Sequence, residues 1–255
     1  MISTADNTIG TAGFSAPIIC LSHGSRHPDA DACVAEIARA AAIRGGRPVY
    51  FAHLDFSPST LTNVAHIVAA AGATHAVVVP LLFTEAFHMR HDVPRAIAEA
   101  AESSGLQLTL AKGIGTGEDL ADVLAEHTRA HASAALSTDA TVVLYSVGSS
   151  TPGANESVAR LAISLAAKLQ LEAEQVTAVP ATGEHGGPSA VQELHPDLVV
   201  PLFVCPATLL DRLHHHLENR MSQGDCMQVP HLGTAIAPLV IARAEQAQRT
   251  LSPVA

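Results

Sequence analysis

Short apolar runs alternate with longer, alanine-rich stretches along the whole chain. Each run has the length of a buried strand, and the stretches between the runs carry apolar residues at helical spacing. Alternation of this kind favours parallel sheets with helices on both faces, so the sequence predicts an α/β fold. The predicted strands are 17–22, 48–55, 75–82, 107–111, 141–146, 175–180, 197–203 and, weakly, 227–231. The predicted helices are 28–43, 59–71, 88–104, 117–133, 153–170, 186–194, 206–222 and 235–250.

Residues that commonly cap helices flank two of the predicted helices. Ser57 and Ser59, on either side of Pro58, are candidate caps for the second helix. Gly72 and Gly105 lie just past apolar periodic segments, where glycine commonly ends a helix. These signals support the second and third predicted helices.

Two segments of the first half of the chain reappear in the second half. LSHGS at 21–25 parallels YSVGS at 145–149, and VVVPL at 77–81 parallels LVVPL at 198–202. The two matches are separated by nearly the same number of residues, 124 for the first and 121 for the second. A glycine–serine turn also recurs in the corresponding place. Chance similarity between short apolar strands is the alternative, which the recurring turn disfavours. The repeat predicts two similar parallel-sheet α/β lobes with a cleft between them.

The repeat also predicts how the chain divides. We expect an N-terminal lobe over 16–134 and a C-terminal lobe, degenerate in motif, over 140–251. Residues 1–15 are polar and lack the basic region followed by an apolar one that marks a signal peptide. We therefore expect a short disordered leader and a cytoplasmic protein.

A histidine follows two of the predicted strands of the N-terminal lobe. His23 comes directly after strand 17–22, and His88 comes shortly after strand 75–82. In open parallel sheets, ligands bind beyond the carboxyl ends of the strands, so both imidazoles are predicted to reach one site. The corresponding positions in the second half are Val147 and Leu209, so this pair belongs to the N-terminal lobe alone.

The residue types near this edge are suited to a transition-metal ion. Neutral imidazole is a common ligand of Fe²⁺, Co²⁺, Ni²⁺ and Zn²⁺, whereas Mg²⁺ and Ca²⁺ prefer oxygen ligands. Asp55, at the end of strand 48–55, is the third candidate ligand, and Glu85 is a weaker one. Two imidazoles and one carboxylate leave coordination positions open, which is typical of a site that handles its metal rather than storing it.

His91 and Asp92 follow His88 at helical spacing. On a helix, residues three and four apart are neighbours, so Asp92 is predicted to orient the imidazole of His88 through its second ring nitrogen. His91 is interpreted as a supporting or surface residue. Pro94 makes the local geometry irregular.

Composition narrows the classes of function. The chain is 48% hydrophobic and 15% charged, which allows a sizeable core. A net charge of −10, no tryptophan and 3% aromatic residues argue against nucleic-acid binding. No apolar stretch reaches the roughly 18 residues that span a bilayer.

The run His214–His216 is interpreted as a solvated helix face. The cysteines at 20, 33, 205 and 226 form no CxxC pair and are expected to be reduced thiols without a structural metal.

Three segments give the N-terminal half a resemblance to a known family. They are Ser22–Arg26, Leu54–Ser59, and Val79–Leu82 followed by Phe87–Pro94. In order and spacing, over about residues 17–133, they resemble the class II tetrapyrrole chelatases, specifically the sirohydrochlorin chelatases of the CbiX and SirB type. The C-terminal half is similar in architecture but degenerate in motif, like the longer, duplicated members.

The resemblance implies an enzyme, a lyase that inserts Fe²⁺, Co²⁺ or Ni²⁺ into a sirohydrochlorin-type macrocycle for siroheme or cobalamin-type cofactor synthesis. It implies that His23 and His88 are the paired catalytic histidines. Asp55 stands where the family often has glutamate. The metal ion is then a substrate, and no permanent cofactor is expected.

Sirohydrochlorin is a polycarboxylate, so cations are expected at the rim of its site. Arg26 and Arg90 flank the two histidines and are candidates for bidentate carboxylate pairing, with surface ion pairing as the alternative. Gly24 and Ser25 are expected to bring backbone donors close to the macrocycle.

Two other functions remain open at this point. A metal or tetrapyrrole carrier that binds without inserting would have nearly the same sequence. Phosphoryl transfer through a phosphohistidine is disfavoured because the Arg–His–Gly order is absent and no glycine-rich phosphate loop is present. The expected partner is a tetrapyrrole substrate, with neither nucleic acid nor membrane, and the chain is expected to be a monomer or a homodimer.

Overall fold

The computed structural model describes residues 16–84, 88–151, 153–183 and 185–251 of the 255-residue chain, and the proposed leader lies outside these ranges. The strands are β1 (Ile18–Ser22), β2 (Val49–His53), β3 (His75–Pro80), β4 (Gln107–Leu110), β5 (Val142–Ser146), β6 (Val176–Pro180), β7 (Leu198–Leu202) and β8 (Met227–Gln228). The helices are α1 (Ala30–Gly45), α2 (Leu61–Ala70), α3 (Val93–Ser104), α4 (Glu118–Ala132), α5 (Ala154–Leu169), α6 (Pro188–Glu193), α7 (Thr208–Ser222) and α8 (Ala237–Leu251). Every strand and helix predicted from the apolar pattern is present within a few residues of its expected bounds, except that the first turn of the third predicted helix is a π-helix, His88–Asp92.

The strands form two four-stranded parallel sheets of the same topology. Their orders are β2-β1-β3-β4 and β6-β5-β7-β8. Leu21 of β1 pairs with Pro80 of β3, and Tyr145 of β5 pairs with Pro201 of β7. These are the segments that match in sequence, and they occupy the same register in both sheets. The predicted pair of similar α/β lobes is therefore confirmed.

The central strands are buried on both faces, which explains their continuous apolar runs. Ile18 to Leu21 of β1 and Val142 to Tyr145 of β5 are fully buried. One cluster of buried side chains includes Ile18 of the first sheet and Val142 of the second, so the two sheets share a hydrophobic core. The outer face of each sheet has its own, smaller cluster.

Two helices pack across the predicted division between the lobes. Helix α4 follows the last strand of the first sheet but packs against α5 of the second. Helix α8, at the end of the chain, packs against α1 and β3 of the first sheet. The boundary near residues 134–140 stays a prediction, because the packing of these two helices does not follow it.

The start of α2 corrects one cap prediction. Thr60, rather than Ser57 or Ser59, is the N-cap, and its hydroxyl accepts a hydrogen bond from the Asn63 amide at 3.2 Å. Ser57 Oγ instead donates to Asp31 Oδ2 at 2.6 Å, a contact between residues distant in sequence. The prediction for Gly105 is confirmed, since it ends α3 in the left-handed conformation.

The interpretation of the histidine run on α7 is confirmed. His214, His215 and His216 are all exposed on α7, as a solvated helix face requires. The four cysteines are free thiols. Among the described residues, no helix combines the length and the apolar character needed to cross a bilayer.

Arg243 links α8 to α4, the two helices that pack against the opposite lobe. Its Nη1 lies 2.6 Å from Asp119 Oδ2 at the start of α4, and its Nε donates to the Gly113 carbonyl at 3.0 Å. Nη2 donates to the carbonyl of Ile114, and only 13% of the arginine side chain is exposed. Burial raises the pKa of the Asp119 carboxyl, but the hydrogen bond and charge of Arg243 lower it overall.

Replacing Arg243 with methionine should lower the free energy of unfolding by about 2–4 kcal/mol, because the substitution leaves a carboxylate and two carbonyls unpaired. Urea unfolding followed by circular dichroism measures the loss. Arg249→Met is the matched control on the same helix, since Arg249 is exposed and 3.9 Å from Glu245. It should change stability by no more than about 0.5 kcal/mol. Equal losses in the two variants would contradict this role of Arg243.

Candidate functional site

A cleft of about 1100 Å³ lies between the two lobes. Its walls are built largely from the segments that follow β1, β2, β3, β5, β6 and β7, so it lies beyond the carboxyl ends of both sheets. This is the position at which open parallel sheets bind ligands. Its volume is at the upper end of the range for small-molecule pockets.

His23 lies on the N-terminal wall of the cleft, where β1 ends. The Asp55 amide donates to the His23 carbonyl at 2.9 Å, and the Leu54 amide donates to the Ser22 carbonyl at 3.0 Å. Gly24 has a φ of +93°, and a Cβ at this position would lie 1.9 Å from the Asp55 carbonyl oxygen. Glycine is therefore required here, because the two backbones touch, and this contact fixes the position of His23.

Phe56 contacts both His23 and Arg26. Its ring stacks on the His23 imidazole, with centroids 6.1 Å apart and planes inclined by 15°. The Arg26 guanidinium carbon is 4.9 Å from the centroid of Phe56. A cation–π contact of this kind contributes about 0.5–1 kcal/mol at an exposed site. Phe56 thus contacts two polar side chains of the cleft, and sequence spacing alone does not predict either contact.

His53, the last residue of β2, lines the cleft and is almost completely buried, with 1% of its surface exposed. Its Nδ1 is 2.6 Å from Ser22 Oγ, which also accepts a hydrogen bond from the Gly24 amide at 3.1 Å. Its Nε2 is 3.4 Å from Asp31 Oδ1. Burial lowers the pKa of His53, and the charge of Asp31 only partly offsets this. This arrangement fits a neutral His53 whose Nδ1 accepts a hydrogen bond from the Ser22 hydroxyl.

His53 was not among the predicted site residues, because it belongs to no motif and its spacing from the other histidines fits no known ligand pattern. The signal that would have identified it is the register of the sheet. Ser22 and His53 are paired residues of adjacent parallel strands, each at the last position of its strand. Side chains at such paired positions come close together.

Of the other predicted residues in this lobe, Gly24, Ser25 and Arg26 line the cleft, and their contacts to a substrate stay predictions. Asp55 is exposed, and its Oδ1 accepts a hydrogen bond from the Phe56 amide at 2.8 Å. Asp55 does not belong to the described walls of the cleft. Its proposed contact with a metal ion therefore stays a prediction.

His88 begins the π-helical turn His88–Asp92, which runs directly into α3. Pro94 has no N–H to donate to the carbonyl of residue 90, so a regular α-helix cannot extend back through this turn. Met89 lines the cleft, which brings the backbone of the turn to its wall. The side chains of His88 and Arg90, and all of Glu85, lie outside the described part of the chain, so their predicted roles stay predictions.

His91 is exposed, and Asp92 is half-buried. The Asp92 carboxylate accepts a hydrogen bond from Arg95 Nη2 at 3.2 Å. The proposed orientation of His88 by Asp92 stays a prediction. Within the described ranges, no group of three or more His, Cys, Asp or Glu side chains is placed to hold a metal ion.

The C-terminal wall has a different chemical character. Val147 and Leu209, the counterparts of the two histidines, both line the cleft, and Gly148 repeats the positive φ of Gly24 at +85°. Serine and threonine residues surround these apolar side chains, namely Ser146, Ser149, Ser150, Thr151, Thr182 and Thr208. The N-terminal wall therefore carries His23 and Arg26, whereas the C-terminal wall offers mainly apolar side chains and hydroxyls, with His185 as an imidazole.

This architecture defines a two-lobed parallel α/β protein with a single-chain cleft at the carboxyl edges of its sheets. Residues 17–131 match the CbiX family model. Over this range the N-terminal lobe is therefore similar to the CbiX family, and the resemblance of the chain to the sirohydrochlorin chelatases is confirmed.

Curated relatives match the same region. A sirohydrochlorin cobaltochelatase of Sulfurisphaera tokodaii is 31% identical over 78 residues, which are 31% of this chain and 62% of that protein. A sirohydrochlorin ferrochelatase of Bacillus subtilis is 30% identical over 147 residues, which are 57% of this chain and 56% of that protein. The aligned parts thus span less than two thirds of either relative.

Solved structures match over nearly the whole chain. SirB from Bacillus subtilis with Fe³⁺ has a TM-score of 0.76 at 21% identity, over 93% of this chain and 97% of that chain. CbiX, described as the terminal enzyme for biosynthesis of siroheme in denitrifying bacteria, has a TM-score of 0.68 at 19% identity, over 91% and 99%. At these identities the likeness shows the fold, and it confirms the two-lobed architecture.

Gly24→Ala should destabilise the protein more than Gly72→Ala. Both glycines have nearly the same φ, +93° and +91°, so both variants carry the cost of a left-handed alanine, about 1–2 kcal/mol. A Cβ at position 72 meets nothing within 4 Å, whereas at position 24 it collides with the Asp55 carbonyl. Free energies of unfolding from urea titration test this. Equal losses would show that the contact between residues 24 and 55 does not restrict the turn.

Proposed function

We propose that this protein inserts a divalent metal ion, Fe²⁺, Co²⁺ or Ni²⁺, into sirohydrochlorin or a related tetrapyrrole, for siroheme or cobalamin-type cofactor synthesis. The observation that carries the proposal is the position of His23, on the wall of a cleft of about 1100 Å³, within the lobe that matches the CbiX family. The names of the curated relatives support both the macrocycle and the first two metals.

The proposed chemistry uses the proton affinity of imidazole. A free macrocycle carries two pyrrole N–H protons, which must leave when a divalent metal ion enters. An imidazole that is neutral near pH 7 can accept such a proton or hold the incoming metal, because its pKa lies close to the operating pH. We assign these roles to His23 and His88, with Asp55 as a further candidate ligand. The metal ion is a substrate, and no permanent cofactor is proposed.

The two walls fit the two kinds of surface on the macrocycle. Phe56, Val147 and Leu209 offer apolar surface to the faces of the ring, and Phe56 and Val147 are 46% and 48% exposed. Arg26 and the hydroxyl groups of the C-terminal wall can pair with peripheral carboxylates. We assign the same role to Arg90, and we assign Gly24 and Ser25 to backbone contacts. His91 and Asp92 are proposed to support the position of His88.

His23→Ala and His88→Ala should each lower the rate of metal insertion by about 10²–10⁴-fold, because each removes a proton acceptor or metal ligand. The assay follows the absorption spectrum of the metallated macrocycle under anaerobic conditions, with circular dichroism to confirm folding. His214→Ala is the control, since His214 is an exposed histidine on α7. Wild-type rates in both cleft variants, at wild-type folding, would contradict the proposed mechanism.

The same assay separates an enzyme from a carrier that binds metal or macrocycle without inserting. Insertion that is faster than in a protein-free control supports the enzyme. Tight binding of free macrocycle with an unchanged insertion rate would show that the protein is a carrier. Competition between Fe²⁺, Co²⁺ and Ni²⁺ for one macrocycle identifies the metal that the site prefers.

Arg26→Gln should raise KM for the macrocycle by roughly tenfold while changing kcat less, because a contact to a peripheral carboxylate stabilises ground state and transition state alike. Steady-state kinetics at several ionic strengths measure both constants. Arg44→Gln is a matched control, an exposed arginine in the last turn of α1 and outside the described cleft walls. An unchanged KM in Arg26→Gln would remove this residue from substrate binding.

A further inference from the structure

Two cysteines from opposite lobes meet at the wall of the cleft. Cys33 lies in the first turn of α1, and Cys205 lies in the loop that follows β7. Cys33 Sγ donates to the carbonyl oxygen of Val204 at 3.7 Å, which brings the Cys33 thiol beside the residue that directly precedes Cys205. Both residues are half-buried, and Cys205 lines the cleft, which gives small solutes access to the pair.

The surroundings make the two sulfur atoms unequal. The hydrogen bond from Cys205 lowers the pKa of Cys33 to about 6, and the same bond raises the pKa of Cys205. His231, whose Nδ1 is 4.0 Å from Cys33 Sγ, also lowers the pKa of Cys33. Burial and the charge of Glu36 act in the opposite direction and raise the pKa of Cys33. Burial and the charge of Asp31 also raise the pKa of Cys205. The pKa of Cys33 is therefore lowered and that of Cys205 is raised, so Cys33 is the thiol of the pair that ionises first.

We propose that Cys33 and Cys205 are a redox-active pair that forms a disulfide between the two lobes when the protein meets a mild peroxide oxidant. The Cys33 thiolate attacks one peroxide oxygen, and cleavage of the O–O bond gives a sulfenic acid and, after protonation, one water. The Cys205 sulfur then attacks the sulfur of Cys33, loses its proton and releases a second water. In total, the two thiols give two electrons to hydrogen peroxide and become one disulfide.

The other two cysteines lack these properties. Cys20 is fully buried in β1, and burial raises its pKa to about 12. Cys226 is 3% exposed, and burial raises its pKa as well. Buried thiols of high pKa react slowly, so oxidation is expected to be selective.

The consequence of the disulfide follows from the positions of its ends. It joins α1 of the first sheet to the loop after β7 of the second, both of which contribute to the cleft. The bond therefore restrains the separation of the two walls, and it closes a very long loop of the unfolded chain. This property is independent of metal insertion, since neither cysteine is assigned a role in the proposed chemistry.

The test uses the reduced, full-length protein, treated anaerobically with a small excess of hydrogen peroxide, quenched by alkylation and digested for mass spectrometry. The expected result is loss of two of the four free thiols, a Cys33–Cys205 linked peptide, and a melting temperature raised by roughly 5–10 °C. Cys33→Ser and Cys205→Ser should each abolish the linked peptide, whereas the control Cys226→Ser should keep it.

Several outcomes would overturn the proposal. They are over-oxidation of Cys33 without a linked peptide, disulfides between chains only, or protection of both thiols by added Zn²⁺ at one equivalent, which would indicate a metal site instead.

A second measurement follows alkylation of Cys33 against pH. It should be half-maximal near pH 6 in the wild type and shift to higher pH in Cys205→Ala, which lacks the hydrogen-bond donor. An unchanged profile in Cys205→Ala would contradict the shared hydrogen bond.

Discussion

Parallel pairing of β1 with β2 on one side and β3 on the other is the constraint on which the site depends. Because all three strands run in the same direction, the segments that follow them emerge at one edge of the sheet. The ladder continues past β1 through the bonds from Leu54 to Ser22 and from Asp55 to His23. His23 is thus held by the sheet itself rather than by a flexible loop, and Gly24 is the residue that allows the close approach.

Most of the fold could be predicted from the sequence, because strands buried on both faces leave long apolar runs that are easily distinguished from helical spacing. The internal repeat was visible for the same reason. The exchange of α4 and α8 between the lobes was not, since their apolar faces do not specify which sheet they cover. Thr60 replaced the expected serine caps because Ser57 bonds to Asp31, a partner that only the tertiary structure brings close.

The candidate site was predicted only where a residue directly follows a strand. His23, Gly24, Ser25 and Arg26 line the cleft as their position in the sequence indicates. Contacts between distant segments were invisible, and they include the bond of His53 to Ser22, the stacking of Phe56 and the approach of Cys33 to Cys205. Each depends on sheet register or on how the lobes meet, and neither property is encoded in local spacing.

The two lobes share one architecture but line the cleft with different side chains. The first lobe keeps polar, ionisable side chains at the end of its central strand, while the second keeps the same backbone turn with apolar residues in their place. Val147 occupies the position of His23, and the positive φ of Gly24 recurs at Gly148. The proposed ligand, a flat ring with carboxylate edges, would thus meet His23 and Arg26 on one wall and mainly apolar side chains and hydroxyls on the other.

The most direct test of this account is a crystal structure of the protein with a bound tetrapyrrole. The account predicts that the ring lies between Phe56 and the wall formed by Val147 and Leu209, with the imidazoles of His23 and His88 on the same side of the four ring nitrogens. A ring bound outside this cleft, or a His88 imidazole directed away from the ring, would contradict it.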